Sequence, residues 1–330
     1  MTSDEIEALR VRAMARGPLT KHEVNVLLRA CLMAAEGCML VCCDYSQVEA
    51  RGLAWAAGDH EAMRAFQGGG DPYAKLACRL FGIAAEVFSK ETHKQPRDTS
   101  KKAELGCGYG MGAPKFKVTA EKGGMVWKAP TCAGGPCTDP LCGFEEADYQ
   151  GRVFTHGART IVNTWREVHA PIVGFWQALQ DAAITAAHGG RAHVGPYSFG
   201  KVGGDVWCML PSGRPIVYPR MKVGRDAKGR PRLHYWGTEG HPEDLYGGKL
   251  AENVTQALCR DLLAAALVKV EAAGLPVVLH VHDEIVIEVP CIQAEAALHQ
   301  LSAIMQDLPP WAAGFPVAAD GFVCRRYMKG

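Results

Sequence analysis

The chain has 330 residues, 48% hydrophobic and 22% charged, with a net charge of +1. This is the composition of a soluble globular protein with room for one large or two ordinary domains. No apolar run is long enough to span a membrane, and the near-zero charge confines any nucleic-acid footprint to a local patch. Thirteen cysteines, an odd number lying mostly in apolar runs such as those of Cys42, Cys43 and Cys259, fit buried free thiols in a reducing compartment. The first twenty residues are charged and amphipathic, without the apolar centre of a signal peptide, so a cytoplasmic protein is expected.

In chain order, residues 3–36 have helical apolar spacing. "GCMLVCCD", 37–44, is a short buried strand ending in Asp44, and 46–59 returns to helical spacing. Residues 60–83 and 85–119 are expected to be mainly helical, and 122–144, rich in Gly, Cys and Pro, to be a loop or insert. One long helix is expected over 160–188, kinked at Pro171. Strands joined by a basic turn follow over 205–235, then a helix over 249–273, a hairpin over 275–290, and a tail of one helix and an irregular end. There is no internal repeat, and the pattern predicts an α+β or mixed α/β fold.

The hairpin "LPVVLHVHDEIVIEVP" places His282, Asp283 and Glu284 where a turn usually takes Gly, Asn or Pro. Solvated charges at an exposed tip cost little. The alternative is a cation, because adjacent carboxylates repel unless a cation or proton lies between them. That reading calls for another carboxylate at a strand end, and Asp44 is one. If the two strands are neighbours, Asp44 and Asp283 could hold two divalent ions suited to phosphoryl transfer. In "HKQPRDTSKKAELGCGYGMG", Arg97, Lys101, Leu105 and Tyr109 recur every four residues, either one helix face offering two cations, an apolar residue and an aromatic to a nucleotide, or a solvated helix face with Tyr109 in a core.

These segments resemble conserved motifs of the family A DNA polymerases. "DYSQVEARGLAWAAGD" is similar to motif A, "RDTSKKAELGCGYG" to motif B, "HVHDEIVIEVP" to motif C, and "YGGKLAENVTQALCRDLL" to the helix before motif C in phage members. The likeness runs from about residue 22 to the end and implies a right-hand palm and fingers. It implies that Asp44 and Asp283 bind two Mg²⁺ ions, with Glu284 in support. Arg97 and Lys101 would hold the incoming triphosphate, Tyr109 would guard the templating position, and Glu49 would exclude a ribose 2′-hydroxyl with Gln47 beside it. His282 would touch the primer terminus, and Gln256 and Arg51 the duplex. Leu105 stands where many relatives have an aromatic, and Tyr73 where many have a phosphate-binding His.

The family's thumb and its "T-x-R-x-S-S" stretch are not found in residues 1–43, and no exonuclease domain is expected. The palm is expected over 1–60 and 245–330, the fingers over 61–204, and a basic β-rich connection over 205–244. Within that connection "RPIVYPRMKVGRDAKGRPR" holds seven Lys or Arg. A hairpin carrying Arg214, Arg220 and Lys222 would contact phosphates without reading sequence, or be a solvated surface. Cys132, Cys137 and Cys142, spaced by five, are either zinc ligands lacking a fourth partner, with His156 a distant candidate, or a flexible surface insert.

The expected activity is DNA-directed DNA polymerisation from primer-template DNA and dNTPs. A single-subunit RNA polymerase shares the palm logic, but Glu49 argues against it. The catalytic half of a split enzyme with a separate thumb or exonuclease chain, and a non-catalytic DNA-binding remnant, are the alternatives. A small-molecule nucleotidyltransferase would not require the basic hairpin.

Overall fold

The computed structural model describes residues 3–68, 71–226 and 229–327. The expected helical region at the start is two helices, α1 (Ser3–Met14) and α2 (Lys21–Ala30). Pro18 falls between them, and Thr20 caps α2 in a capping box: its hydroxyl accepts from the Glu23 N–H at 3.2 Å while its own N–H donates to the Glu23 carboxylate at 2.7 Å. Strand β1 (Cys38–Tyr45) and helices α3 (Val48–Ala57), α4 (His60–Gln67), α5 (Ala74–Phe81), α6 (Lys94–Cys107) and α7 (Ala113–Lys122) follow. The helical stretch expected over 85–119 is therefore interrupted before Lys94 and again at the glycine-rich turn after Cys107.

Next come β2 (Glu145–Ala147), β3 (Val153–Thr155), α8 (His156–Val168) and α9 (Ala170–Ala187). Two helices thus replace the single kinked helix expected over 160–188. His169 leaves the helical backbone at φ −110° and ψ 43°, and Pro171 lies in the first turn of α9, where its missing N–H costs nothing. Strands β4 (Ala192–Val194), β5 (Tyr197–Val202), β6 (Asp205–Met209), β7 (Pro215–Tyr218), β8 (Lys222–Arg225), β9 (Pro231–Trp236) and β10 (Pro242–Leu245) precede α10 (Gly247–Ala272). The chain then forms β11 (Val277–Val281), β12 (Glu284–Pro290), α11 (Ala294–Gln306) and β13 (Ala319–Cys324). Of these strands, β2, β3, β4 and β5 were not foreseen, and β13 corrects the expectation of an irregular tail.

Two compact units result. The first is Met1–Val48, Cys259–Ala313 and Val317–Gly330. Its sheet has the order β11-β12-β1-β13, with every pairing antiparallel. One face meets α11, where Ser302 bonds the Ala319 carbonyl at 3.0 Å and also reaches the Cys43 thiol. The other face buries Leu40, Cys42, Val286, Cys324 and Tyr327. Burial of each aliphatic side chain contributes about 1.5–3 kcal/mol, which is how a strand carrying Asp and Gly, such as β13, holds its pairing.

The second unit is Glu49–Leu258 with Gly314–Pro316. Its core gathers Leu76, Phe116, Trp165, Leu179 and Tyr197, all almost fully buried. It carries two small sheets, of order β4-β5-β6-β7 and β10-β9-β8, and the hairpin β2-β3. A buried polar cluster ties its helices together. His169 reaches Asp59 at 3.3 Å and Glu104 at 3.0 Å, and the Trp165 indole donates to Glu104 at 2.8 Å. Burial alone would lower the His169 pKa, but its bonds to the two carboxylates overcome that and raise it to about 9. Every pairing between these strands is antiparallel, the parallel bridge of Lys128 with Cys142 lying outside them, and the fold is α+β as expected.

Candidate active site

Strand β1 runs through the middle of its sheet and delivers Asp44 near one end. In the register Asp44 lies opposite Glu284 of β12 on one side and opposite Asp320 of β13 on the other. Directly opposed residues of antiparallel strands share a face, so three carboxylates form a row across three strands. Asp44 is half-buried, Asp320 is exposed and Glu284 is buried. The apolar residues Cys42, Val286 and Phe322 sit one step inward on the same face. Like charges placed opposite one another are destabilising, which favours a cation at this edge. Asp320 was missed in the sequence, since nothing in a short "AADGFVC" run marks it as a neighbour of Asp44.

Asp283 directly precedes Glu284 of the row. It lies in the two-residue turn between β11 and β12, and its carbonyl accepts the Tyr45 N–H at 3.1 Å. His282 takes the first turn position with φ +54°, where such hairpins usually carry Gly. Gln47 is similarly strained at φ +50°. Backbone strain of this kind concentrates at functional sites. Glu284 is the first residue of β12 rather than part of an exposed tip, which corrects the solvated-tip reading for that residue. The Tyr327 hydroxyl donates to it, and burial together with that bond pushes the Tyr327 pKa up.

All donors in the row are oxygens, as hard divalent ions prefer. Their oxygens are not gathered into a closed cage. Among the described residues, three ligand atoms lie within 4.8 Å of one another only at Cys132, Cys137 and Cys142. An open carboxylate edge of this sort leaves coordination positions for substrate oxygens and water.

In the second unit, α6 buries Thr99, Ser100, Ala103 and Cys107 and turns Lys101 and Leu105 outward, Leu105 being 71% exposed. Arg97 forms an ion pair with Asp71, and its guanidinium lies 5.0 Å from the centre of the buried Tyr73 ring. Tyr109 is not on the face shared by Arg97, Lys101 and Leu105, because α6 ends at Cys107 and Tyr109 follows in the turn. Its hydroxyl instead reaches the Glu49 carboxylate at 3.4 Å, at the start of α3. The backbone of Gly248 presses on this turn: a Cβ there would stand 2.3 Å from the Tyr109 carbonyl oxygen. This is a physical reason for the "YGG" before α10.

Arg51, read from the sequence as a duplex contact, is 8% exposed and donates to the Pro316 carbonyl at 2.7 Å, so it fastens Gly314–Pro316 to α3. Gln256 is exposed on α10. Arg214 is exposed and donates to the Ala257 carbonyl at 3.1 Å. Arg220, at φ +50°, stacks 5.2 Å from the Trp236 ring, and Lys222 is exposed on β8. The expected basic hairpin is β8–β9 and Arg214 lies outside it, in the turn before β7 of the other sheet. Several of its charges are matched: Arg230 pairs with Asp226 and Arg232 with Asp244. Ala227 and Lys228, at the "GRDAKG" turn, lie outside the described residues. No described helix is long and apolar enough to cross a membrane.

The DNA polymerase family A profile matches residues 15–122. The DNA polymerase of Bacillus phage SP02 is 31% identical over 313 residues, covering 93% of this chain and 44% of the phage protein. The thermostable DNA polymerase I of Thermus aquaticus is 25% identical over 297 residues, covering 88% of this chain and 27% of that protein. Among solved structures, the POL domain of Pol1 from M. smegmatis, in complex with DNA primer-template and dNTP, superposes with a TM-score of 0.60 at 17% identity, over 94% of this chain and 43% of that one. At that identity the likeness is one of fold. The chain spans less than half the length of these relatives. Profile and phage homologue agree, and this chain is similar in sequence to the family A DNA polymerases.

Proposed function

We propose that the chain is the palm and fingers of a template-dependent DNA polymerase, adding deoxynucleotides to a primer 3′ end. The palm is assigned to about 1–60 and 245–330, the fingers to 61–204, and 205–244 is a basic connection. The single observation that carries this reading is the register that sets Asp44 opposite Glu284 with Asp283 in the adjoining turn.

Asp44 and Asp283 would hold two Mg²⁺ ions, the all-oxygen donor set suiting a hard cation. When bound, these ions supply activation of the primer 3′-oxygen and neutralisation of charge on the α-phosphate and leaving group. Glu284, held by the Tyr327 hydroxyl, places a further carboxyl group beside the pair. Lys101 is turned outward to meet the triphosphate, and Arg97 would exchange its Asp71 carboxylate for phosphate oxygens. Glu49 is the gate against a 2′-hydroxyl, positioned by Tyr109, which guards the template base. Gln47 and Leu105 line the nucleotide pocket, with Tyr73 supporting Arg97 from beneath. His282 meets the primer terminus, and Gln256, Arg214, Arg220 and Lys222 meet backbone phosphates. The protein's part is positioning and electrostatics.

Because the chain matches 44% of the phage relative's length, a second reading is a catalytic half working with a separate thumb or exonuclease chain. Extension of a labelled primer on a DNA template by the isolated chain with Mg²⁺, beside Asp283→Ala, tests both. Templated extension lost in the variant supports a self-sufficient polymerase. A folded chain that binds DNA without extending it, and extends once a co-purifying chain is added, supports the second reading. Failure in both arms removes the polymerase assignment.

A further inference from the structure

The segment between α7 and β2 has almost no regular structure, yet Leu141 and Cys142 within it are almost completely buried. A Gly- and Pro-rich stretch gains little from helix or strand ladders, so something else must fix it. Two backbone hydrogen bonds and one from a side chain hold it against the start of α8. The Gly157 N–H donates to the Cys142 carbonyl at 2.9 Å, the His156 N–H to Phe144 at 2.8 Å, and the Thr160 hydroxyl to the Cys137 carbonyl at 2.7 Å. The fit leaves no room for a side chain at Gly157, where a Cβ would stand 2.8 Å from the Pro140 oxygen.

These clamps bring three cysteine sulfurs together, with His156 beside one of them. The sulfurs of Cys132, Cys137 and Cys142 lie within 4.8 Å of one another, and those of Cys132 and Cys142 are 3.5 Å apart. His156, the first residue of α8 and fully buried, brings Nδ1 to 3.1 Å from the Cys132 sulfur. Tetrahedral zinc, with Zn–S of about 2.3 Å and Zn–N of about 2.0 Å, separates its ligands by roughly 3.5–3.8 Å. The far nitrogen of His156, Nε2, is buried without a well-aligned hydrogen bond, but the Glu146 carboxylate from β2 stands 3.2 Å away. A carboxylate on the outer nitrogen of a histidine is the usual support for a metal-bound imidazole. The Thr131 N–H points at the Cys142 sulfur at 3.4 Å, as a donor to a thiolate would.

We infer that Cys132, Cys137, Cys142 and His156 Nδ1 form a structural zinc site, with Glu146 orienting the histidine. The four ligands are all from the protein, which closes the coordination sphere and makes the site structural rather than catalytic. Soft thiolates with one imidazole in tetrahedral arrangement select zinc over Mg²⁺. Each thiol gives its proton to solvent as zinc replaces it, and no redox step is involved. The site is independent of the carboxylate row and of the polymerase reading.

The test is zinc analysis of the full chain purified from zinc-supplemented medium without chelator, with Co²⁺ substitution as a second readout. The expected result is about one equivalent of zinc per chain, and a thiolate-to-cobalt charge-transfer band with tetrahedral d–d bands after exchange. Cys137→Ser and His156→Ala should each lose bound zinc, Cys208→Ser should keep it, and Glu146→Gln should weaken zinc binding about 10- to 100-fold. The cobalt spectrum of the unmodified chain decides the matter even if a variant fails to fold. Absence of zinc and of the cobalt bands, zinc retained equally in Cys137→Ser, or a Cys132–Cys142 disulfide in protein isolated under reducing conditions would overturn the inference.

Discussion

The carboxylate row and the thiol cluster are built on opposite principles. The row sits on regular structure: three hydrogen-bonded strands impose the spacing of Glu284, Asp44 and Asp320, and their charges are tolerated because one edge of the sheet is open to solvent. The cluster sits where regular structure is nearly absent, and its ligands are buried or half-buried. A sheet can position charges without a metal, so the frame of the row does not depend on a bound ion. An irregular loop has no such ladder, so a metal there contributes to the folding of the loop itself. The contrast teaches that oxygen donors on a preformed frame suit turnover, and sulfur donors on a soft frame suit permanence.

The strongest way to break this comparison is at the row. Asp283→Ala should reduce primer extension on the order of a thousandfold, the several kcal/mol that metal-assisted charge stabilisation supplies, while leaving the melting temperature and zinc content close to the parent. A variant that unfolds instead would mean that the row, like the cluster, is a folding element. Next in size is a pH effect outside both sites. The His169 pKa is raised from 6.5 to about 9, so the folded state holds that proton more tightly than the unfolded chain does. Its contribution is fully present below pH 6.5 and is lost as pH rises through 9. The loss amounts to about 3 kcal/mol, to be read in thermal or denaturant unfolding of the helical unit. His169→Gln should flatten that dependence.

Glu49→Ala sharpens the assignment of the gate. Ribonucleotide incorporation should rise roughly 10- to 100-fold with deoxynucleotide extension preserved, and unchanged sugar selectivity would remove Glu49 from that role. The smallest effect is expected at the arginine held in reserve. Asp71→Asn should free Arg97 and lower the KM for nucleotide about two- to fivefold, the scale of a partly exposed ion pair. A rise in KM would instead make Asp71 a positioning residue for Arg97.

Much of the row was legible in the sequence. Apolar runs ending in Asp44 and flanking Asp283 read as strands because β-branched and aliphatic residues alternate with turn-forming ones, and Arg97 and Lys101 read as one helix face because their spacing matches the helical period. Thiols at intervals of five were visible too, with His156 only a distant candidate for the fourth ligand.

What the sequence by itself determined is the set of chemical groups and the local elements that carry them: carboxylates at strand ends, cations on α6, three cysteines in an irregular loop. Tertiary structure alone decided which groups meet. Asp320 joins Asp44 through pairing of strands far apart in the chain, and Tyr327 finds Glu284 only once that sheet has formed. Tyr109 leaves its expected helix face because the turn after Cys107 is held by Gly248, far away in sequence. His156 completes the cysteine cluster because the start of α8 folds back on the loop. The physical reason is the same in each case: periodicity reports the next few residues, whereas cross-strand partners and ligand sets depend on contacts closed over long loops, which leave no local mark.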